Sequence, residues 1–146
     1  MNSPIGHTFL YNIIILFIVI VFGFIAGILS YYKAFKVNNN IVHSLEKFEG
    51  YNEFSKAEID IALGNLGYSL QSANCKAEYN GMYLVSLGEN YRYCIYIDPE
   101  EPESGEYYQY GVLTYMNLDL PVINLINIPI FTRTNLIYKF TNDESL

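Results

Sequence analysis

Apolar residues dominate the start of the chain. No charged residue occurs from Leu10 to Tyr32, and tyrosines stand near both ends of this run. As a helix the run would be about 34 Å long, enough to cross a hydrocarbon core of about 30 Å. Tyrosines at its ends suit the membrane interface. The pattern predicts a short leader over residues 1–9 and a transmembrane helix over residues 10–32.

A cleaved signal peptide fits this pattern less well than an anchor that is retained. Such a peptide carries Lys or Arg before a shorter apolar core and ends at a site of small residues. Residues 1–32 contain neither Lys nor Arg, and no convincing site of that kind follows. We therefore expect a single-pass protein of the cell membrane.

Two glycines interrupt the anchor at helical spacing. Gly23 and Gly27 form a G-x-x-x-G pair on one face, which lets two helix backbones approach closely in lipid. Glycine is also common in membrane helices. The pair therefore indicates either packing against another membrane helix, including a second copy, or ordinary composition.

The helical period continues beyond the anchor. Apolar residues recur at steps of three and four, at Ala34, Val37, Ile41, Leu45 and Phe48. This spacing predicts an amphipathic helical extension over residues 33–50. We expect the run Asn38-Asn39-Asn40 to bend or fray it and Gly50 to end it.

A second, short helix is predicted next. Ser55 and Glu58 have the spacing of a capping box, and Phe54 with Ile59 that of a hydrophobic staple. Gly67 suits the C-terminal stop.

From Lys76 the apolar period changes to two, which predicts strands. The alternation is clearest over residues 91–98, 108–120 and 128–140. Asn80-Gly81 and Gly88-Glu89-Asn90 are hairpin-turn sequences, and Pro129 suits the start or the edge of a strand. We therefore predict an α+β domain over residues 51–146, with the short helix followed by an antiparallel sheet of about four strands.

Charge excludes one class of partner. The formal net charge is −7, and binding to nucleic acid needs a basic face. Five carboxylates and two prolines follow one another from Asp98 to Glu106. This pattern predicts a solvated loop that could meet a basic partner surface, and it lacks the ordered spacing of a calcium loop.

Cys75 and Cys94 are the two cysteines, and the histidines, His7 and His43, lie far from them. We expect neither a metal site nor a cofactor. A disulfide would add about 3 kcal/mol on the chain-entropy model and needs an oxidising compartment. If residues 76–79 formed a hairpin strand, Cys75 would lie two strands from Cys94; we therefore favour a loop path for Cys75 and a bond.

The orientation signals disagree. Lys33 and Lys36 follow the anchor, and no basic residue precedes it, which by the positive-inside rule places the domain in the cytoplasm. The candidate disulfide and the Lys-poor, Tyr- and Asn-rich sheet favour the other side. We expect an extracytoplasmic C-terminal domain.

No reaction signature stands out. A catalytic triad needs a base, and the domain offers only His43, on the helical extension. Glycine-rich phosphate loops are absent from the sequence. We predict that the protein is not an enzyme.

The layout resembles type IV pilin-like proteins. The residues that carry the likeness are Gly6-His7-Thr8-Phe9-Leu10, the helix from Leu10 to Phe48, and the segment YYQYGVLTYMNLDLPVINLINIPIF. Within that group the chain is similar to TadE-like minor pseudopilins and to small uncharacterised single-pass proteins of Gram-positive bacteria. The resemblance implies processing at Gly6-His7 and packing of apolar helices in a membrane-borne pilus or secretion assembly. Tyr11 stands where pilins usually place a glutamate, so a permanently anchored accessory protein is expected rather than a filament subunit.

Two functions are therefore expected. The first is a non-enzymatic structural or accessory component of a pilus-like or secretion assembly, with the bilayer and other membrane helices as partners. The alternative is a membrane-anchored ligand-binding or regulatory module, in which the helix is a stalk and the tyrosines of the sheet line a pocket.

Overall fold

The computed structural model describes residues 4–68, 73–87, 93–120 and 123–140. Within these ranges, two helices precede a six-stranded antiparallel sheet. The helices are α1 (Pro4–Lys47) and α2 (Glu53–Asn65), and the strands are β1 (Glu78–Tyr79), β2 (Met82–Leu87), β3 (Tyr93–Asp98), β4 (Tyr107–Leu120), β5 (Ile123–Arg133) and β6 (Ile137–Tyr138). The predicted α+β class and the order of its elements are confirmed.

A single helix contains the predicted anchor and its amphipathic extension. α1 has 44 residues, which corresponds to about 66 Å at 1.5 Å per residue. It already begins at Pro4, so the later part of the predicted leader is helical as well. We expected Asn38-Asn39-Asn40 to bend or fray the helix, but these residues are helical. The reason is that Asn38 is buried and bonded to the sheet.

Glu49 and Gly50 end α1. The Gly50 N–H donates to the Leu45 carbonyl at 2.9 Å, and the Glu49 N–H donates to the Glu46 carbonyl at 3.3 Å. This is the bond pattern of a Schellman motif. Gly50 ends the helix as predicted, but the left-handed position belongs to Glu49, whose φ is 51°. A glycine at that position would avoid the strain that a side chain incurs.

The predicted start of α2 is wrong. Asn52 is the N-cap, and its side chain accepts from the backbone N–H groups of Phe54 and Ser55. Ser55 completes the capping box from the N3 position, by accepting from the backbone N–H of Asn52 at 2.8 Å. The predicted staple does not form its core contact either, since Phe54 is exposed and stacks on Phe48. Asn caps a helix as well as Ser does, so the helix begins three residues earlier than predicted.

The end of α2 matches its prediction. Gly67 has a φ of 58°, and its N–H donates to the Gly64 carbonyl. The Tyr68 N–H donates to the Leu63 carbonyl at 3.1 Å. Gly67 is therefore the left-handed residue of a second Schellman motif.

The sheet contains two more strands than predicted, the two-residue strands β1 and β6. The strand order is β1-β2-β3-β4-β5, and β6 pairs with the start of β4. The predicted run over residues 128–140 is divided, because Thr134 leaves β5 and bonds to Tyr110 through both its N–H and its Oγ1. Pro129 lies in the middle of β5, opposite Tyr115, and not at the start or edge of a strand as predicted. A proline is accommodated there because β5 is the outer strand of the order, where a backbone N–H is not needed for pairing.

One of the two predicted turns can be compared with the structure. Asn80 and Gly81 have φ values of 52° and 75°, and the residues on either side of them, Tyr79 and Met82, are paired. These positive φ values are those of a two-residue type I′ hairpin turn, so this prediction is confirmed. The second predicted turn, Gly88-Glu89-Asn90, lies outside the described residues.

Both faces of the central strands are buried. The predicted alternation in β3 is present, but neither set of side chains faces solvent. On one face the residues pack against α1 and α2, in a cluster that contains Val37, Ile41, Leu45, Ile59, Leu63, Tyr93, Ile95, Tyr110 and Val112. On the other face Met82, Cys94, Tyr96 and Leu113 form a second cluster.

The curl of the sheet closes the second cluster. The Tyr79 ring lies 5.8 Å from the ring of Tyr96 and 5.2 Å from that of Phe131. A Cβ at Gly111 would lie 2.6 Å from the Phe131 ring and 2.7 Å from the Met82 sulfur. Gly111 thus lets side chains from β2 and β5 meet across β4, because any larger residue would separate them.

β4 runs back along α1 toward the anchor. The Tyr108 hydroxyl donates to the Glu49 carbonyl at 2.8 Å, just beyond the end of α1. Further along β4, Thr114 receives a hydrogen bond from Asn38, three turns closer to the anchor. The sheet is therefore packed directly on the last turns of α1, and the same helix leads into the apolar run.

Candidate functional site

The first part of α1 projects large apolar side chains in all directions. Its most apolar 18-residue window has a mean hydropathy of 3.1, and none of that window is buried. By length and composition α1 can cross a membrane, and a signal sequence would meet the same criteria. The exposed large side chains there include Phe9, Leu10, Ile15, Phe17, Phe22, Phe24, Ile28 and Leu29. This segment is compatible with a single-pass membrane protein.

The two glycines of the anchor lie on this uncovered part of the helix. A Cβ at Gly23 would meet no atom within 4 Å, so its face is open. Gly27 is half-buried, one turn further along. Gly6 and His7, the possible processing site, lie in the exposed first turns of α1.

Asn38 joins the helix to the sheet, and its role was not predicted from the sequence. Its side chain is fully buried. The Nδ2 group lies 3.1 Å from the Val112 carbonyl, 3.1 Å from Thr114 Oγ1 and 3.2 Å from the Ile130 carbonyl. The position follows Ala34 by four and precedes Ile41 by three, so the apolar spacing itself placed it toward the core.

The disulfide lies on the second face of the sheet. Cys75 and Cys94 are bonded, with Cα atoms 5.8 Å apart. The conflict expected between a hairpin and this bond does not arise, although β1 does pair with β2. β1 is only two residues long, and residues 73–76 have no regular secondary structure. The predicted loop path therefore brings Cys75 over β3.

The titratable residues that the structure describes are mostly exposed or paired. His43 is exposed on α1. Glu58, which was predicted to cap α2, instead pairs with Lys47 at 2.7 Å and ties α2 to α1. Within residues 4–68, 73–87, 93–120 and 123–140, no group of three or more His, Cys, Asp or Glu is placed to hold a metal ion. That the protein is not an enzyme stays a prediction.

Several tyrosines of the sheet are core residues. Tyr96 is fully buried, and Tyr108 and Tyr110 are nearly so. Burial is the main cause that raises the pKa of each of these three phenols above the ordinary value of 10.0. Burial thus favours the neutral form of each hydroxyl group, as suits packing.

Tyr68 completes the sheet with its side chain. Its hydroxyl donates to the Tyr115 carbonyl and accepts from the Tyr115 N–H, both at 3.2 Å. These two main-chain groups lie on β4 just past Thr114, where the described pairing with β3 ends. The hydroxyl thus gives two main-chain groups of β4 a side-chain partner.

An aromatic patch lies at the end of the domain farthest from the anchor. We call it the tip patch and define it as Tyr107, Leu136, Tyr138 and Phe140, all exposed. The ring of Tyr138 lies 5.1 Å from that of Tyr107 and 5.2 Å from that of Phe140. A shallow depression of about 340 Å³ beside it is lined by the patch residues Leu136, Tyr138 and Phe140, together with Glu46, Glu49, Asn135 and Ile137.

Comparison with protein-family models, with curated proteins and with solved structures finds no match for this chain. The pilin-like resemblance therefore stays a prediction, and a function has to be inferred from the geometry of the chain itself.

Proposed function

We propose that this chain is a non-enzymatic, single-pass membrane protein that serves as a structural or accessory component of a pilus-like or secretion assembly. The observation that carries the proposal is that the two parts of α1 have different environments. None of its most hydrophobic 18-residue window is buried, whereas Val37, Ile41 and Leu45 belong to the domain core. A helix with these two halves joins a folded domain rigidly to a bilayer.

The alternative, an anchored ligand-binding module, has less support. It requires the tyrosines of the sheet to line a pocket, but Tyr93, Tyr96 and Tyr110 are packed inside the two clusters. The depression beside the tip patch is shallow and does not reach them.

The bond between Cys75 and Cys94 supports an extracytoplasmic domain, because disulfides persist in oxidising compartments. Lys33 and Lys36 alone would favour the opposite orientation. An impermeant thiol reagent applied to intact cells distinguishes these two orientations of the domain. Labelling only after external reduction supports the proposed topology. Labelling that requires opened cells, without reductant, places the domain in the cytoplasm and overturns it.

Packing between membrane helices is tested by Gly23→Ile and Gly27→Ile in a membrane two-hybrid assay. A branched side chain on this face keeps two helix backbones apart, so association should fall. Val21→Ile, elsewhere on the same apolar segment, is the matched control. An unchanged signal for both glycine variants would remove helix association from the proposed function.

A further inference from the structure

The tip patch is built to stay exposed. Tyr107 is 62% exposed, Leu136 64% and Phe140 67%. The aromatic rings contact one another at tilted and edge-on angles. β6, which carries Tyr138, is held by pairing with β4. Because the patch is already ordered, a partner could bury its apolar surface with only a small further loss of conformational entropy.

Two groups of carboxylates border the patch. Glu46 and Glu49 line the depression at the end of α1, and Glu46 Oε1 accepts from the Asn135 N–H at 2.7 Å. The loop between β3 and β4, which is bonded to Lys139, carries Glu100, Glu101 and Glu103, all exposed. The tip therefore combines apolar rings with a negative border.

Main-chain bonds fix the acidic loop beside the patch. The Gly105 N–H donates to the Lys139 carbonyl at 2.8 Å, and the Lys139 N–H donates to the Glu106 carbonyl at 2.9 Å. The Lys139 ammonium donates to the Pro102 carbonyl at 2.7 Å. Lys139, which lies between the patch residues Tyr138 and Phe140 in the chain, thus bonds to the loop backbone rather than to one of the loop carboxylates.

Charge decides which occupant suits this surface. Along α1 the tip lies about 21 Å beyond Tyr32, the end of the uncharged run, at 1.5 Å per residue. At that distance from the end of the uncharged run, and with its negative border, the tip should not bind an anionic lipid surface. A second copy docking tip to tip would bring like charges together. A basic polypeptide segment has the complementary charge, and its Lys or Arg side chains can also lie over the exposed rings.

We propose that the tip patch and its acidic border bind a partner protein through an exposed segment that carries Lys or Arg together with apolar side chains. The aromatic rings and Leu136 take the apolar side chains, and the border carboxylates attract and orient the cations. This proposal uses the proposed membrane anchoring only for the height of the tip. Peptide binding at the tip does not depend on membrane orientation or on helix association, so the two proposals can fail separately.

The test uses the full-length protein in nanodiscs of zwitterionic lipid and a fluorescein-labelled peptide of alternating lysine and phenylalanine. Fluorescence anisotropy should show binding that weakens with added salt. A twin peptide with glutamate in place of lysine should not bind. Empty nanodiscs serve as the control for adsorption to lipid.

Two variants assign the binding to the tip. Leu136→Ser combined with Phe140→Ser should raise the Kd about tenfold, as expected when central apolar contacts are lost. Glu100→Gln, Glu101→Gln and Glu103→Gln together should raise the Kd and flatten its dependence on salt. Ile61→Ser, at a 66% exposed apolar position on α2, should leave the Kd unchanged.

Near-UV circular dichroism of each variant verifies that the domain remains folded. Three outcomes overturn the proposal: equal Kd values for the folded tip variants and the Ile61 control, equal binding of the glutamate peptide, or equal binding to empty nanodiscs.

Discussion

Asn38→Asp is the sharpest test of how the domain is fixed to its helix. The exchange replaces one NH₂ group by an oxygen and changes the size of the side chain very little. In the folded protein the Nδ2 group faces three oxygens at 3.1 to 3.2 Å, those of Val112, Thr114 and Ile130. Thr114 can turn its hydroxyl to donate to a carboxylate, but the two backbone carbonyls cannot.

The magnitude follows from burial. Asn38 has no exposed surface, so the new carboxylate would be a buried charge without adequate donors. Losing one partner of a buried charged or hydrogen-bonded group in this way costs about 3 kcal/mol or more. A domain of this size has a total stability of about 5–15 kcal/mol, so the loss should be obvious.

The dependence on pH identifies the cause. Burial against acceptors raises the pKa of the new carboxyl in the folded state above its ordinary value of about 3.9. The stability of the variant should therefore be closest to that of the wild type below this pH, where the carboxyl is protonated in both states. It should fall as the pH rises through the folded-state pKa.

The measurement is denaturant unfolding of the full-length protein in detergent micelles. Near-UV circular dichroism of the tyrosines is the signal, because the apolar half of α1 stays helical in the micelle. Asn39→Asp makes the same chemical change at the neighbouring position and leaves the three bonds of Asn38 in place, so it should cost clearly less stability than Asn38→Asp. Equal stabilities for the two variants, or a loss that does not shrink in acid, would refute the role assigned to Asn38.

Three further predictions concern the same domain. Glu49→Gly should raise the free energy of unfolding by about 1 kcal/mol, because it relieves the left-handed strain at the end of α1. Replacing Cys75 and Cys94 by alanine should lower it by about 3 kcal/mol, since the unfolded chain regains the loop entropy. Above pH 10 the domain should lose stability, because burial raises the folded-state pKa of Tyr96 and Tyr110 above the ordinary 10.0. Below that pH these phenols are neutral in both states and contribute no pH dependence.

Each of these has its own check. Glu49→Ala keeps a side chain at the left-handed position and should show no such gain; an equal gain would contradict the strain argument. Reducing the wild type should reproduce the loss measured for the double cysteine variant. In the alkaline titration, tyrosinate absorbance from the buried rings should appear together with the loss of near-UV dichroism. Ionisation of all tyrosines near pH 10 with the fold intact would contradict the raised pKa values.

Local signals in the sequence predicted most of the elements, while the tertiary connections were harder. The helical period indicated α1 and α2, and the Asn80-Gly81 turn is where its sequence placed it. The start of α2 was misplaced because Asn52 and Ser55 compete as caps with the same chemistry. The two-sided burial of β3 could not be read from its alternation, because Tyr suits both a core and a wet face.

The candidate site was less predictable than the fold. The acidic loop was recognised from its carboxylates, but its position beside Phe140 depends on backbone bonds between residues far apart in the chain. The sequence predicted that Asn38 would destabilise the helix, because helix propensity does not include the sheet that packs on the helix. Open space around Gly23 agrees with a free helix face, but a partner from another molecule would leave no trace in a single chain.

The direct passage of α1 from the apolar run into the domain core has a mechanical consequence. A domain on a flexible tether would sample many orientations, whereas this one is clamped to its own anchor by Asn38 and by Val37, Ile41 and Leu45. On the proposed membrane anchoring, a tilt or rotation of the helix in the bilayer would therefore move the aromatic tip along an arc. Because the apolar run and the domain share one helix, the lipid or the neighbouring helices that orient this helix would also orient the domain.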